Sequence, residues 1–241
     1  MNYRLIIILT IILIGIGMCF SLIYSPALDI STFSITGNEF LIKNEITESI
    51  KKYKNRNIIL VNTENVKNNL KNNHSQLKNI KITKVYPNKL KINITERTPL
   101  AKIKNDNRII VFDKEGYILE KRKENFNIDV PLIRGFGYSF SNNKLVFTPP
   151  LKKLIQQLED LESALIKDLN LIQYNKLSKN KYKLECLIFD NKTKVKLGEL
   201  DNLSKKFSIL EAAVLEIKKE KLNIDYINLE YPNKPVYKTE N

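Results

Sequence analysis

Ile80-Lys81-Ile82-Thr83-Lys84-Val85-Tyr86-Pro87-Asn88-Lys89-Leu90-Lys91-Ile92-Asn93-Ile94-Thr95-Glu96-Arg97-Thr98-Pro99-Leu100-Ala101 is the stretch from which the fold is read. Up to Val85 apolar and polar residues alternate, which puts Ile80 and Ile82 on one face of a strand and the aliphatic stems of their neighbours on the other. Tyr86-Pro87-Asn88 breaks the pattern, because proline has no N–H for a ladder and asparagine favours turns. Leu90, Ile92 and Ile94 then resume it. The segment therefore predicts a hairpin, and a lone hairpin is marginal in water. Its apolar face needs a cover.

The cover is encoded just upstream. Ile30, Phe33 and Ile35 mark an extended piece ending at the turn pair Gly37-Asn38. Ile42, Ile46, Ile50 and Tyr53 recur at helical spacing. After the brief apolar run Asn57–Val61, Asn62 or Thr63 can cap a second helix that carries Val66 and Leu70 inward. Strand, helix, helix, strand, strand over 28–96 is an α+β module with its helices on one face of a small sheet.

Downstream, 97–237 predicts a second unit, a mostly antiparallel sheet with two packed helices. Ile103 leads through Asn105-Asp106-Asn107 to Ile109–Phe112, and Asp113-Lys114-Glu115-Gly116 turns the chain into Tyr117-Ile118-Leu119. A less regular stretch contains Pro131, Gly135 and Gly137. Behind Pro149-Pro150, the spacing of Leu151, Leu154, Ile155, Leu158, Leu161, Leu165 and Ile166 predicts one amphipathic helix. A hairpin is expected from Lys183–Cys186 through Asp190-Asn191 to Lys194–Leu197, then a helix through Leu203, Phe207, Leu210, Val214 and Ile217. Ile224–Tyr231 reads as a late strand, with Val236-Tyr237 beyond Pro232-Asn233 and 238–241 as a tail.

At the other end, Leu5 to Ile23 is uncharged. At about 1.5 Å per residue it reaches roughly 28 Å, close to a hydrocarbon core. A cleaved signal would carry a shorter apolar region and small residues at its cleavage site. The run is thus expected to remain as a single transmembrane helix after a short cytoplasmic tail, 1–4. Arg4 lies close in front of the span and the next cation, Lys43, far behind it. Loop-charge asymmetry places the N-terminus in the cytoplasm and the bulk outside.

The net charge is +14, from 40 Lys+Arg against 26 Asp+Glu. Such an excess suits an anionic polymer or membrane surface. The cations are instead scattered among asparagines in a chain with no Trp and only 7 Gly, which is how codon bias looks. Two cysteines build no disulfide framework, and Cys19, inside the apolar run, cannot reach Cys186. Cys186 alternates with charge and reads as a small core residue. His74, the one histidine, sits in a polar linker and is expected to be solvated. Asp113 and Glu115 flank Gly116 as turn residues. A zinc site, a glycine-rich phosphate loop and a catalytic constellation all lack their parts, so no enzyme, cofactor, metal or small-molecule substrate is implied.

With these residues in place, the chain resembles the bacterial division proteins FtsQ/DivIB over nearly its whole length. Phe33-Ser34-Ile35-Thr36-Gly37-Asn38 before a helix looks like the start of that family's POTRA domain. The opening segment resembles its hairpin and its Glu-Arg-x-Pro-x-Ala domain boundary. Asp113–Gly116, Val130-Pro131-Leu132-Ile133-Arg134-Gly135, Lys194–Gly198 and Ile224–Tyr231 follow in the family's order. Glu230 stands where the family commonly has Arg, and Pro232-Asn233-Lys234-Pro235 replaces a glycine turn.

The resemblance implies a non-enzymatic scaffold at the division septum that holds FtsB/DivIC-like and FtsL-like partners, with no nucleic acid. The expected contact is strand addition at the late strand, with Tyr231 as first anchor, Leu229 and Glu230 beside it, Val236 and Tyr237 next, and Lys183 facing an acidic partner. Two other readings stand beside it: a membrane-anchored binder of anionic polymer or nucleic acid, and a POTRA-bearing export component.

Overall fold

The computed structural model describes residues 3–37, 43–119, 128–178 and 181–239. Asn38 of the expected turn, Ile42 of the first helix face and the outermost residues of both expected tails lie outside them. The chain divides into two units, Met1–Arg97 and Thr98–Asn241.

The first unit opens with helix α1, Tyr3–Ile23, long and apolar enough to cross a membrane. Its described side chains are exposed, as those of a span facing lipid would be. Strand β1 (Thr32–Thr36) follows, then helices α2 (Lys43–Ile50) and α3 (Thr63–Asn73) and strands β2 (Leu77–Val85) and β3 (Lys89–Glu96). This is the expected POTRA-like order. The hairpin forms in the register Ile80↔Ile94 and Ile82↔Ile92, and β1 pairs parallel to β3 on its far side. Ile46, Ile50, Val66 and Leu70 from the helices meet Ile35, Leu90 and Ile92 from the sheet. Fully burying such a side chain contributes about 1.5–3 kcal/mol, so this seam outweighs the weak propensity of short Asn- and Lys-rich helices. Asn62 caps α3, its Oδ1 accepting from the N–H groups of Glu64 and Asn65.

His74 departs from expectation. It is buried, and its Nε2 lies 2.8 Å from Ser49 Oγ. Lys71, Asn72 and Asn73 before it are exposed, but it closes α3 against α2 and so turns inward. Pattern along one segment does not report that neighbour.

Among the described residues, the second unit is built on a nine-stranded sheet with helices packed on it. Its strands are β4 (Ala101–Asn105), β5 (Arg108–Phe112), β6 (Ile118–Leu119), β7 (Leu132–Arg134), β10 (Leu169–Ser178), β11 (Lys181–Ile188), β12 (Thr193–Gly198), β13 (Ile224–Asn228) and β14 (Val236–Thr239). Strands β8 (Tyr138–Ser141) and β9 (Lys144–Phe147) form a separate hairpin. The order is β14-β13-β12-β11-β10-β7-β4-β5-β6. Pairing is antiparallel except at β13–β12, β10–β7 and β7–β4, which agrees with a mostly antiparallel sheet. At the β5–β6 turn, Asp113 Oδ1 accepts from the N–H groups of Glu115 and Tyr117 at 2.9 and 2.8 Å. That carboxylate works as a turn residue.

The expected long helix is two, α4 (Pro149–Glu159) and α5 (Ser163–Asp168). Leu158 and Leu165 are a heptad apart, so two short helices satisfy the period as well as one. The break lies at Glu162, held extended with its N–H donating to Glu211 Oε1. Helix α6 (Leu203–Glu220) lays Phe207, Leu210 and Val214 on the sheet as expected. Strand β10 has no counterpart in the sequence reading, because its burial does not alternate and a register shift falls between Leu169 and Leu171.

Candidate partner-binding edge

The late strand corrects one expectation. β13 ends at Asn228, and both its sides are used: β12 pairs with it in parallel, β14 antiparallel. The border expected along Ile224–Tyr231 is thus covered by the chain's own C-terminal segment, and β14 is the terminal strand of the sheet. The physical cause is the Tyr231–Pro235 turn. Lys234 N–H donates to the Tyr231 carbonyl at 2.9 Å, and Lys205 Nζ, in the first turn of α6, donates to Asn233 Oδ1 at 2.6 Å. A turn so anchored returns the chain alongside β13.

Facing pairs in a ladder share a face. Tyr237 stands opposite Ile227, which is buried, so Tyr237 belongs to the core face of the sheet yet is 67% exposed. Val236 pairs with Asn228 and Lys238 with Tyr226 on the other face. All four β14 residues are exposed. An edge strand directs about half its N–H and C=O groups away from its neighbour. Here they run beside an aromatic that prolongs the apolar face outward.

The remaining candidates fall in different places. Tyr231 is 73% exposed in the turn. Leu229 is fully buried, its N–H donating to the Lys196 carbonyl at 2.8 Å; it holds the sheet and offers a partner no surface. Lys183, expected to face an acidic partner, instead donates to both carboxylate oxygens of Glu230, at 2.8 and 3.1 Å. That bond raises the lysine pKa. Gly198 makes room for it. Its φ is +72°, and a Cβ there would stand 3.0 Å from Glu230 Cγ. The charge at Glu230 is therefore answered within the chain, and neither member of the pair is offered outward.

Cys186 lies in the core, where burial pushes its thiol pKa far up. Among the described residues no cluster of His, Cys, Asp and Glu could hold a metal.

The chain matches the family models "POTRA domain, FtsQ-type" over residues 28–97 and "FtsQ/DivIB, C-terminal related" over residues 98–237. It is 29% identical over 240 residues to the cell division protein DivIB of Clostridium botulinum strain Hall, covering 98% of this chain and 91% of that protein. With DivIB of Clostridium tetani it shares 27% over 246 residues, 94% of this chain and 84% of that one. The solved extracytoplasmic domain of DivIB from Geobacillus stearothermophilus matches with 15% identity and a TM-score of 0.33, over 47% of this chain and 87% of that domain.

Proposed function

The chain belongs to the FtsQ/DivIB family of cell division proteins, and from that premise we propose that it is a non-enzymatic, single-pass membrane scaffold that receives a partner strand at β14. Its N-terminus is cytoplasmic and its two folded units lie outside, at the septum. The partners are the FtsB/DivIC-like and FtsL-like coiled-coil proteins. The supporting observation is the exposed terminal strand with Tyr237 carried on the face of buried Ile227.

Energetics assign separate roles to backbone and side chains. Net worth per ladder bond is about 0.5–1.5 kcal/mol. A strand of four residues offers at most about four such bonds. Association costs on the order of 4–15 kcal/mol. Backbone pairing therefore sets register, while Tyr237, Tyr231 and Val236 supply the affinity. An incoming strand would place an apolar residue beside Tyr237 and lengthen the existing core face. Glu230 and Lys183 act indirectly, by holding the base of the turn that presents Tyr231.

The test is co-purification of the full chain from its native membrane. The parent chain should bring down the coiled-coil partners, and Tyr237→Ala should not, with the ectodomain still folded by circular dichroism. Undiminished capture by the Tyr237→Ala chain removes the site.

A further inference from the structure

One end of the first unit carries an arrangement that strand addition at β14 leaves unexplained. Asn57 is buried, and its Nδ2 donates to the carbonyls of Leu22 and Ile23, both at 2.9 Å. These are carbonyls of the last turn of α1, which lack partners within their own helix. The side chain thus fixes the Asn57–Val61 loop directly at the end of the apolar helix. Asn57 also orders the loop itself, its Oδ1 accepting from Ile59 N–H at 2.9 Å. Lys84, at the tip of the β2–β3 hairpin, donates to the Ile59 carbonyl at 2.9 Å. The end of α1, the loop and the hairpin tip are one bonded assembly.

That assembly exposes large apolar side chains: Tyr24 76%, Ile59 41%, Leu60 62%, Val85 39% and Tyr86 60%. Ile58 and Val61, on either side of the exposed pair, are buried, so the loop sorts its apolar residues into two inward and two outward. Leading into it, Lys51, Lys52, Lys54 and Arg56 are exposed within ten residues that contain no Asp or Glu. The nearby carboxylates are Glu48, which pairs with Lys51 at 3.3 Å, and Asp29, which bridges Asn57 through its backbone. The local balance is strongly positive.

We propose that this end of the first unit is a membrane-docking surface, seated on the anionic headgroups of the leaflet at which α1 ends. Tyrosines prefer the headgroup level, where an apolar ring and a polar hydroxyl are both satisfied. Leu60 and Ile59 enter the boundary between headgroups and acyl chains, and the cations meet lipid phosphates. The occupant follows from continuity, since the surface begins where the span stops. Docking fixes how the unit stands on the membrane, beyond what a flexible tether would do.

The chain contains no tryptophan, so a single introduced one reports its own depth. The full chain would be reconstituted in vesicles of phosphatidylcholine and phosphatidylglycerol with brominated acyl chains. Leu60→Trp should emit blue-shifted light and be quenched, less than Phe20→Trp inside α1. Thr95→Trp, about 20 Å along β3 from the hairpin tip, should be unquenched. Quenching of Leu60→Trp should fall in vesicles of phosphatidylcholine alone and in a Lys54→Glu, Arg56→Glu background. Emission from Leu60→Trp matching Thr95→Trp overturns the proposal, and equal quenching without phosphatidylglycerol overturns its anionic part. An unquenched Phe20→Trp chain would remove the span, and the docking with it.

Discussion

Lys183 and Glu230 join β11 to the start of the C-terminal turn, the ammonium meeting both carboxylate oxygens beside Gly198. The two residues are 47 positions apart and both half-buried. A mutant cycle with Lys183→Met and Glu230→Gln should show a favourable coupling between the two residues, small because both side chains still meet solvent. Reversing both charges should recover most of it, read by hydrogen exchange at β13 and β14. Gly198→Ala should cost more, about 1–2 kcal/mol for the left-handed backbone alone, with the added Cβ pressed on Glu230.

Tyr237 and Tyr231 separate backbone pairing from anchoring. If they are hot spots, each alanine substitution should weaken partner binding by about 2 kcal/mol, roughly thirtyfold in Kd. Leu229→Ala should destabilise the sheet, visible as lost protection across β13, since its side chain lies wholly inside.

Salt distinguishes this contact from polymer binding. Strand addition through apolar anchors should change little between low and moderate ionic strength, whereas binding to nucleic acid or another polyanion should fall steeply. Titration of the ectodomain affinity against sodium chloride reads the difference.

Acid should loosen the start of α6. Buried Lys206 donates to Asp201 Oδ1 at 2.7 Å and to the Glu199 carbonyl at 3.0 Å, and its bond holds the Asp201 pKa below the ordinary carboxylate value. The stabilisation is present above the unfolded pKa near about 3.9 and is lost as pH falls through the lower folded one. Amide exchange in the first turn of α6 should therefore speed up in the parent chain below that range. In an Asp201→Asn chain it should already be fast at neutral pH.

Cys186 should resist alkylation at mildly alkaline pH for as long as the second unit stays folded. Burial raises its pKa, so the thiolate belongs to the open state. Mass mapping should show modification tracking unfolding. Rapid labelling of folded protein would contradict the buried placement.

Much of the first unit was legible because its signals are local. Ile80, Ile82, Leu90, Ile92 and Ile94 announce a hairpin by alternation, and Ile46, Ile50, Val66 and Leu70 announce helices by spacing. Each pattern needs only a few residues of context. His74 failed that test because the group that takes it inward, Ser49, lies on another helix. Leu158 and Leu165 failed it because a heptad step does not distinguish one helix from two.

The sequence by itself determined the apolar N-terminal helix, the βααββ order, the β4–β5–β6 and β11–β12 turns of the second unit and the aromatic residues near its C-terminus, since all follow from short-range periodicity and turn chemistry. Only the tertiary structure decided that β14 closes over β13, that Lys183 is taken by Glu230, and that Asn57 ties its loop to the end of α1. Those outcomes depend on which groups meet across the fold, and an edge is defined by what lies beside it.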